Sequence, residues 1–79
     1  MISLFEQVRK IVSECLNINL GEIKPESLFI ADLGADSLAL IDLITILEEK
    51  FAIEIPDEDA AKLQKINDVI KYIEQRVQT

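Results

Sequence analysis

Three stretches of this chain repeat apolar residues at helical spacing, and no two stretches alternate them in a way that would pair into a sheet. Phe5, Val8, Ile11, Val12 and Cys15 form the first set, and Leu40, Leu43, Ile44, Leu47 and Phe51 the second. Ile66, Val69, Ile70, Ile73 and Val77 form the third. The spacing predicts helices over 4–16, about 37–51 and roughly 66–77. The alternation in "FAIEI" hints at a strand, but nothing else in the chain offers it a partner, and a strand needs one. Pro56 and Asp57 suit instead the start of a short helical turn running to about Leu63. The expected fold class is therefore all-α: a small bundle of three main helices plus one short one.

The ends of these segments carry their own signals. Ser3 stands three residues before Glu6, the spacing of a capping box. "NINLGEIKP" halts the first helix with two asparagines, Gly21 and Pro25. A long loop over 17–35 follows, and a loop of that length in a small domain is usually functional or pinned to the core. Ile18, Leu20, Ile23, Leu28, Phe29 and Leu33 argue for pinning. Asp36 is placed to N-cap the second helix, with Ser37 at its first position. On that helix Leu38, Asp42, Thr45 and Glu49 fall opposite the Leu40–Leu43–Ile44–Leu47–Phe51 side, with Ile41 and Ile46 flanking. A helix apolar over more than half its circumference is buried on most sides or has a second partner.

Composition narrows the class. Seventy-nine residues suffice for one domain, read here as residues 1–79, and 49% hydrophobic content is ample for a core. Cys15 is the only cysteine, so no disulfide supports that core, and the setting reads as reduced and cytoplasmic. "MISLFEQVRK" lacks the basic start and apolar run of a signal peptide, and no run is long enough to span a bilayer. The net charge is −7, concentrated in residues 31–61, where nine acids face Lys50 alone. Such a stretch repels nucleic acid and anionic lipid and attracts basic protein patches. Its self-repulsion should also cost stability, to be relieved by Mg²⁺, Ca²⁺ or mild acidification.

Few residues carry chemistry. Cys15 sits on an apolar face with no histidine anywhere to pair with it, which reads as a structural cysteine. "DEDAAKLQ" starts like a calcium loop and then lacks the central glycine, so no dedicated metal site is expected. Ser37 has no histidine to activate it, and "GADSL" lacks the glycine that follows the serine of a nucleophile elbow. An Asp-Ser helix start is common. What Ser37 offers is a hydroxyl at the positive end of a helix dipole, beside amides able to receive a phosphate. It reads as a place to attach a phosphodiester.

The wider context sharpens that reading. "FIADLGADSL" resembles the phosphopantetheine attachment motif of acyl carrier proteins, and the resemblance continues in register through "LEEKFAIEIPDEDA" to "INDVIKYI". It runs from Phe5 to Ile73 and is that of the stand-alone bacterial carriers. It implies an acyl-carrier-like helical bundle that is no enzyme, a monomer modified by a separate phosphopantetheinyl transferase, with coenzyme A as donor. Ser37 would carry 4′-phosphopantetheine, whose own thiol, not Cys15, would hold acyl groups as thioesters. Asp36 matches the aspartate that helps organise the transferase's metal, besides capping the helix. Leu38, Asp42, Thr45 and Glu49 fall on the family's recognition helix, facing acyl transferases and fatty acid synthesis enzymes with basic docking patches. Leu40, Ile44, Leu47, Ile55, Leu63 and Ile66 would part to shelter an acyl chain.

Three positions depart from the common pattern. Ala39 and Ala31 stand where acids are frequent, and Thr45 where methionine is. They thin the charge near Ser37 and leave open a specialised carrier of aminoacyl, polyketide or lipid-modifying groups. A helical adaptor that uses the second helix unmodified is the rival from another class.

Overall fold

A computed structural model describes residues 3–77. Its helices are α1 (Leu4–Leu16), α2 (Ser37–Phe51), α3 (Asp57–Ala60) and α4 (Ile66–Val77), with a 3₁₀ turn at Leu20–Glu22 inside the long loop. The three main helices have the bounds their periodicity predicts. The short helix ends at Ala60, three residues before the expected Leu63, and turns carry the chain on. Met1 and Ile2, part of the stretch read for a signal peptide, lie outside the described residues.

Each helix starts and stops for local reasons. The Ser3 hydroxyl accepts the Glu6 N–H at 3.2 Å, while the Glu6 carboxylate is engaged by Arg9 at 2.8 Å. Asn17 closes α1 in the left-handed conformation, with φ 58°. Ala52 does the same for α2 at φ 53°, its N–H returning to the Glu48 carbonyl. At the start of α4 the Asp68 carboxylate accepts the N–H groups of Gln64 and Lys65 at 3.2 and 3.3 Å.

α1 packs against both α2 and α4. Val8 and Val12 from α1, Leu43 and Leu47 from α2, and Ile66, Val69 and Ile73 from α4 are wholly inaccessible. Ile23 and Phe29 from the loop join them. The loop is pinned, though by fewer side chains than expected: Ile23, Phe29 and Leu33 are buried, Ile18 is half-buried, and Leu20 and Leu28 are exposed. Backbone bonds supply the rest. Phe29 N–H donates to the Gln64 carbonyl at 3.0 Å, Ile66 N–H to Ser27 at 3.0 Å, and Asn67 N–H to Pro25 at 2.8 Å. The loop thereby satisfies amides at the start of α4 that no helix can satisfy internally. Ser27 is buried, and its hydroxyl accepts the Lys24 N–H at 3.0 Å.

The acidic stretch is more than a surplus of charge. Asp32, Asp36 and Glu48 each accept a backbone N–H at 2.8 Å, and Asp59 accepts the Tyr72 hydroxyl at 2.7 Å. Burial and the bond to Asp59 raise the Tyr72 phenol above its usual range. Among the described residues no three acidic, histidine or cysteine side chains converge where they would hold a metal ion.

Candidate functional site

Ser37 is placed by the coil of chain before it. Asp32 and Leu33 N–H both donate to the Leu28 carbonyl at 3.0 Å, Gly34 N–H to Ile30 at 3.2 Å, and Ala35 N–H to Phe29 at 2.9 Å. The Asp32 carboxylate takes the Leu28 N–H, so the turn is tied from both sides. Gly34 adopts φ +73°, a region open to glycine because it has no Cβ to collide with its own backbone. The coil buries Phe29, Leu33 and Ala35 and delivers Asp36 and Ser37 to the surface.

Asp36 is the N-cap, its carboxylate accepting the Ala39 N–H at 2.8 Å. That satisfies one first-turn amide, and the others lie at the positive end of the helix around Ser37. An exposed hydroxyl at a helix N-terminus lies where the helix favours negative charge.

From Ser37 an exposed face runs along α2. Leu38 is 73% exposed, and Asp42, Thr45 and Glu49 are exposed with it. The structure thus brings together all four residues picked from the helical wheel. It adds Ile41, which is 60% exposed although the wheel placed it on the flank. The signal was present, since a helix apolar over more than half its circumference must leave some apolar surface uncovered.

A groove of about 420 Å³ opens beside this face between α2 and α3. From α2 it is lined by Ser37, Leu40, Ile41, Ile44, Thr45 and Glu48, and from the chain after α2 by Ile55, Asp57, Ala60 and Ala61. Leu40, Ile44 and Ile55 were expected to shelter cargo. Leu47 and Ile66 are instead sealed in the core, and Leu63 lines a second hollow of about 360 Å³ that shares Leu40, Ala60 and Ala61 with the first. Ala60 and Ala61 escaped sequence reasoning, because small residues in a short turn carry no apolar signal. Glu48 escaped it too; it lines the groove, and its carboxylate accepts the Ile55 N–H at 2.8 Å.

Cys15 is half-buried on α1. Burial first, then the Asp42 carboxylate, push its thiol above the usual range, so little thiolate is present at neutral pH. No helix among the described residues is long and apolar enough to cross a membrane.

Comparison with known proteins agrees with this geometry. The family described as phosphopantetheine attachment site matches residues 6–73. The chain is 49% identical over 73 residues to an acyl carrier protein of Helicobacter pylori strain G27, spanning 92% of this chain and 94% of that protein. An acyl carrier protein of Wolinella succinogenes is 51% identical over 73 residues, covering 92% and 96%. One from Helicobacter hepaticus is 54% identical over 70 residues, covering 89% and 92%. An exposed serine at a capped helix start, in a helical chain whose sequence matches these proteins along nearly its whole length, leaves one assignment: the chain belongs to the acyl carrier protein family, carriers rather than catalysts, which bear covalent 4′-phosphopantetheine.

Proposed function

We propose that Ser37 is the residue that accepts 4′-phosphopantetheine and that the loaded arm presents acyl groups to the enzymes of fatty acid synthesis in the cytoplasm. The observation that carries this reading is the placement of Ser37: exposed, first in α2, beside the Asp36 cap and at the mouth of an apolar groove. With no histidine in the chain, the base and metal that activate the hydroxyl belong to the transferase. Asp36 serves twice, as cap and as a carboxylate available to that metal. The arm supplies the thiol on which acyl groups ride. The protein supplies a fixed anchor, amides for the phosphate, a groove for the apolar cargo and a face for docking.

The docking face is Leu38, Ile41, Asp42, Thr45 and Glu49. Two apolar side chains beside Ser37 give modest grip, and the carboxylates steer basic patches at high encounter rates. A carrier has to leave each enzyme quickly, and so small a charged interface releases readily. Incubation with coenzyme A and a broad-specificity phosphopantetheinyl transferase, followed by intact mass, tests the attachment. The wild type should gain one arm, and Ser37→Ala should fold normally and gain none. Modification persisting in Ser37→Ala would overturn the assignment, and no gain in the wild type would favour an unmodified adaptor.

A further inference from the structure

One wall of the groove beside Ser37 is held only lightly by the core, against which Ala60 alone of the α3 side chains packs, half-buried. α3 is four residues long and none of them is buried, and a helix of that length has no stability of its own. Its N-cap, Pro56, offers no side-chain hydrogen bond. Ile55 and Leu63 are buried on either side, and Ile55 is further fixed by Glu48. The segment 56–62 is thus a span anchored at both ends, and from it Ala60 and Ala61 line the groove. Methyl groups give such a span little packing energy.

A polar tie to α4 adds to that light packing. The Tyr72 hydroxyl donates to Asp59 Oδ2 at 2.7 Å, and Arg76 reaches the same oxygen at 3.3 Å. The Arg76 guanidinium lies 4.7 Å from the centre of the Tyr72 ring, which keeps both donors in register. A hydroxyl on a carboxylate makes a short, charge-assisted bond. The Arg76 pair is about half exposed on the arginine side, so Tyr72 is the stronger of the two ties.

We propose that Asp59, Tyr72 and Arg76 form a latch that holds α3 in place and so sets the width of the groove that receives the cargo. They are positioning residues and touch no reacting atom. The inference rests on the reading that Ser37 carries the acylated arm. With the latch made, α3 is a fixed wall. With it broken, 56–62 opens about Ile55 and Leu63 while the bundle of α1, α2 and α4 stays packed.

The full chain, as wild type, Tyr72→Phe and Asp59→Asn, is loaded at Ser37 from acetyl- or tetradecanoyl-coenzyme A by the transferase. Thioester cleavage by hydroxylamine is then followed by intact mass, and amide exchange is measured in parallel. The wild type should cleave the tetradecanoyl thioester more slowly than the acetyl one. Tyr72→Phe should lose most of that protection with acetyl cleavage unchanged. Exchange at 57–62 should rise roughly tenfold while α1 amides keep their rates. Asp59→Asn keeps an oxygen acceptor for Tyr72 and should fall between the two. Should Tyr72→Phe exchange fast everywhere, Asp59→Asn and Arg76→Gln supply the same comparison in a folded chain. An unchanged cleavage ratio with unchanged exchange at 57–62, or equal cleavage of both thioesters in the wild type, overturns the latch. A wild type that takes up no arm overturns the carrier reading instead.

Discussion

Ala52 ends α2 at φ 53°, ψ 47°, a conformation that costs an L-residue with a Cβ about 1–2 kcal/mol. Asn17 does the same work for α1 at φ 58° at lower cost, because its short polar side chain tolerates the left-handed region. Replacing Ala52 with glycine should therefore stabilise the fold by ~0.5–1 kcal/mol, after allowing for glycine's greater freedom in the unfolded chain. A urea titration would show this as a higher midpoint with an unchanged slope. Asp36 poses a different question, since the carboxylate that caps α2 is also the one proposed to meet the transferase's metal. Asparagine caps about as well as aspartate but is a poor metal ligand. Asp36→Asn should keep stability within about 0.5 kcal/mol of wild type while slowing attachment of the arm by tenfold or more. Equal loss of stability and of loading would mean that Asp36 acts through the cap alone.

At the scale of the element, α2 has three surfaces. Leu43 and Leu47 face the core, Leu40 and Ile44 line the groove, and Leu38, Asp42 and Glu49 are exposed, with Ile41 and Thr45 both exposed and on the groove's edge. Reversing Asp42 and Glu49 to lysine should slow acyl transfer to partner enzymes at low salt. The effect should shrink toward 0.15 M, where charges are screened over about 8 Å. Leu38→Ala should weaken docking with little dependence on salt, because the lost contact is apolar. Partner kinetics unaltered by both reversals at low ionic strength would place recognition elsewhere. Helical spacing puts Leu43 and Leu47 on the side that is buried and Leu38, Asp42, Thr45 and Glu49 on a side that is exposed. Spacing puts Ile41 on the flank and leaves its exposure open, because angle alone does not show what lies opposite; it is 60% exposed.

Across the whole molecule, net charge of −8 over residues 31–61 meets a core that leaves only a few kcal/mol to spare. Grouping in the sequence suggested that divalent ions would bridge Glu48, Glu49, Glu54, Asp57, Glu58 and Asp59. The folded chain instead commits Glu48 to Ile55 and Asp59 to Tyr72 and Arg76, and no three acids converge among the described residues. Screening is then the main relief. Raising NaCl from 10 mM to 0.15 M should lift the melting temperature by about 2–5 °C. Mg²⁺ matched for ionic strength should do no better, and a larger rise with Mg²⁺ would reveal bridged pairs of carboxylates.

What the sequence determined by itself was local. Helical period marks out α1, α2 and α4, and the Ser3 and Asp36 caps and the turn formers of 17–35 set both ends of α1 and the start of α2, because those signals act within a few residues of chain. The Asp-Ser-Leu start of α2 was legible for the same reason. Tertiary structure alone decided the rest. Leu20 and Leu28 are exposed while Ile23 and Phe29 are buried, although all four are apolar residues of one loop. Backbone bonds from that loop to α4 settle which of them turn inward. The groove beside Ser37 exists because Ala60 and Ala61, more than twenty residues away, come to face Leu40. Tyr72 and Arg76 hold Asp59 across a separation of at least 13 residues, and no local pattern encodes a contact made only after the chain has folded back on itself.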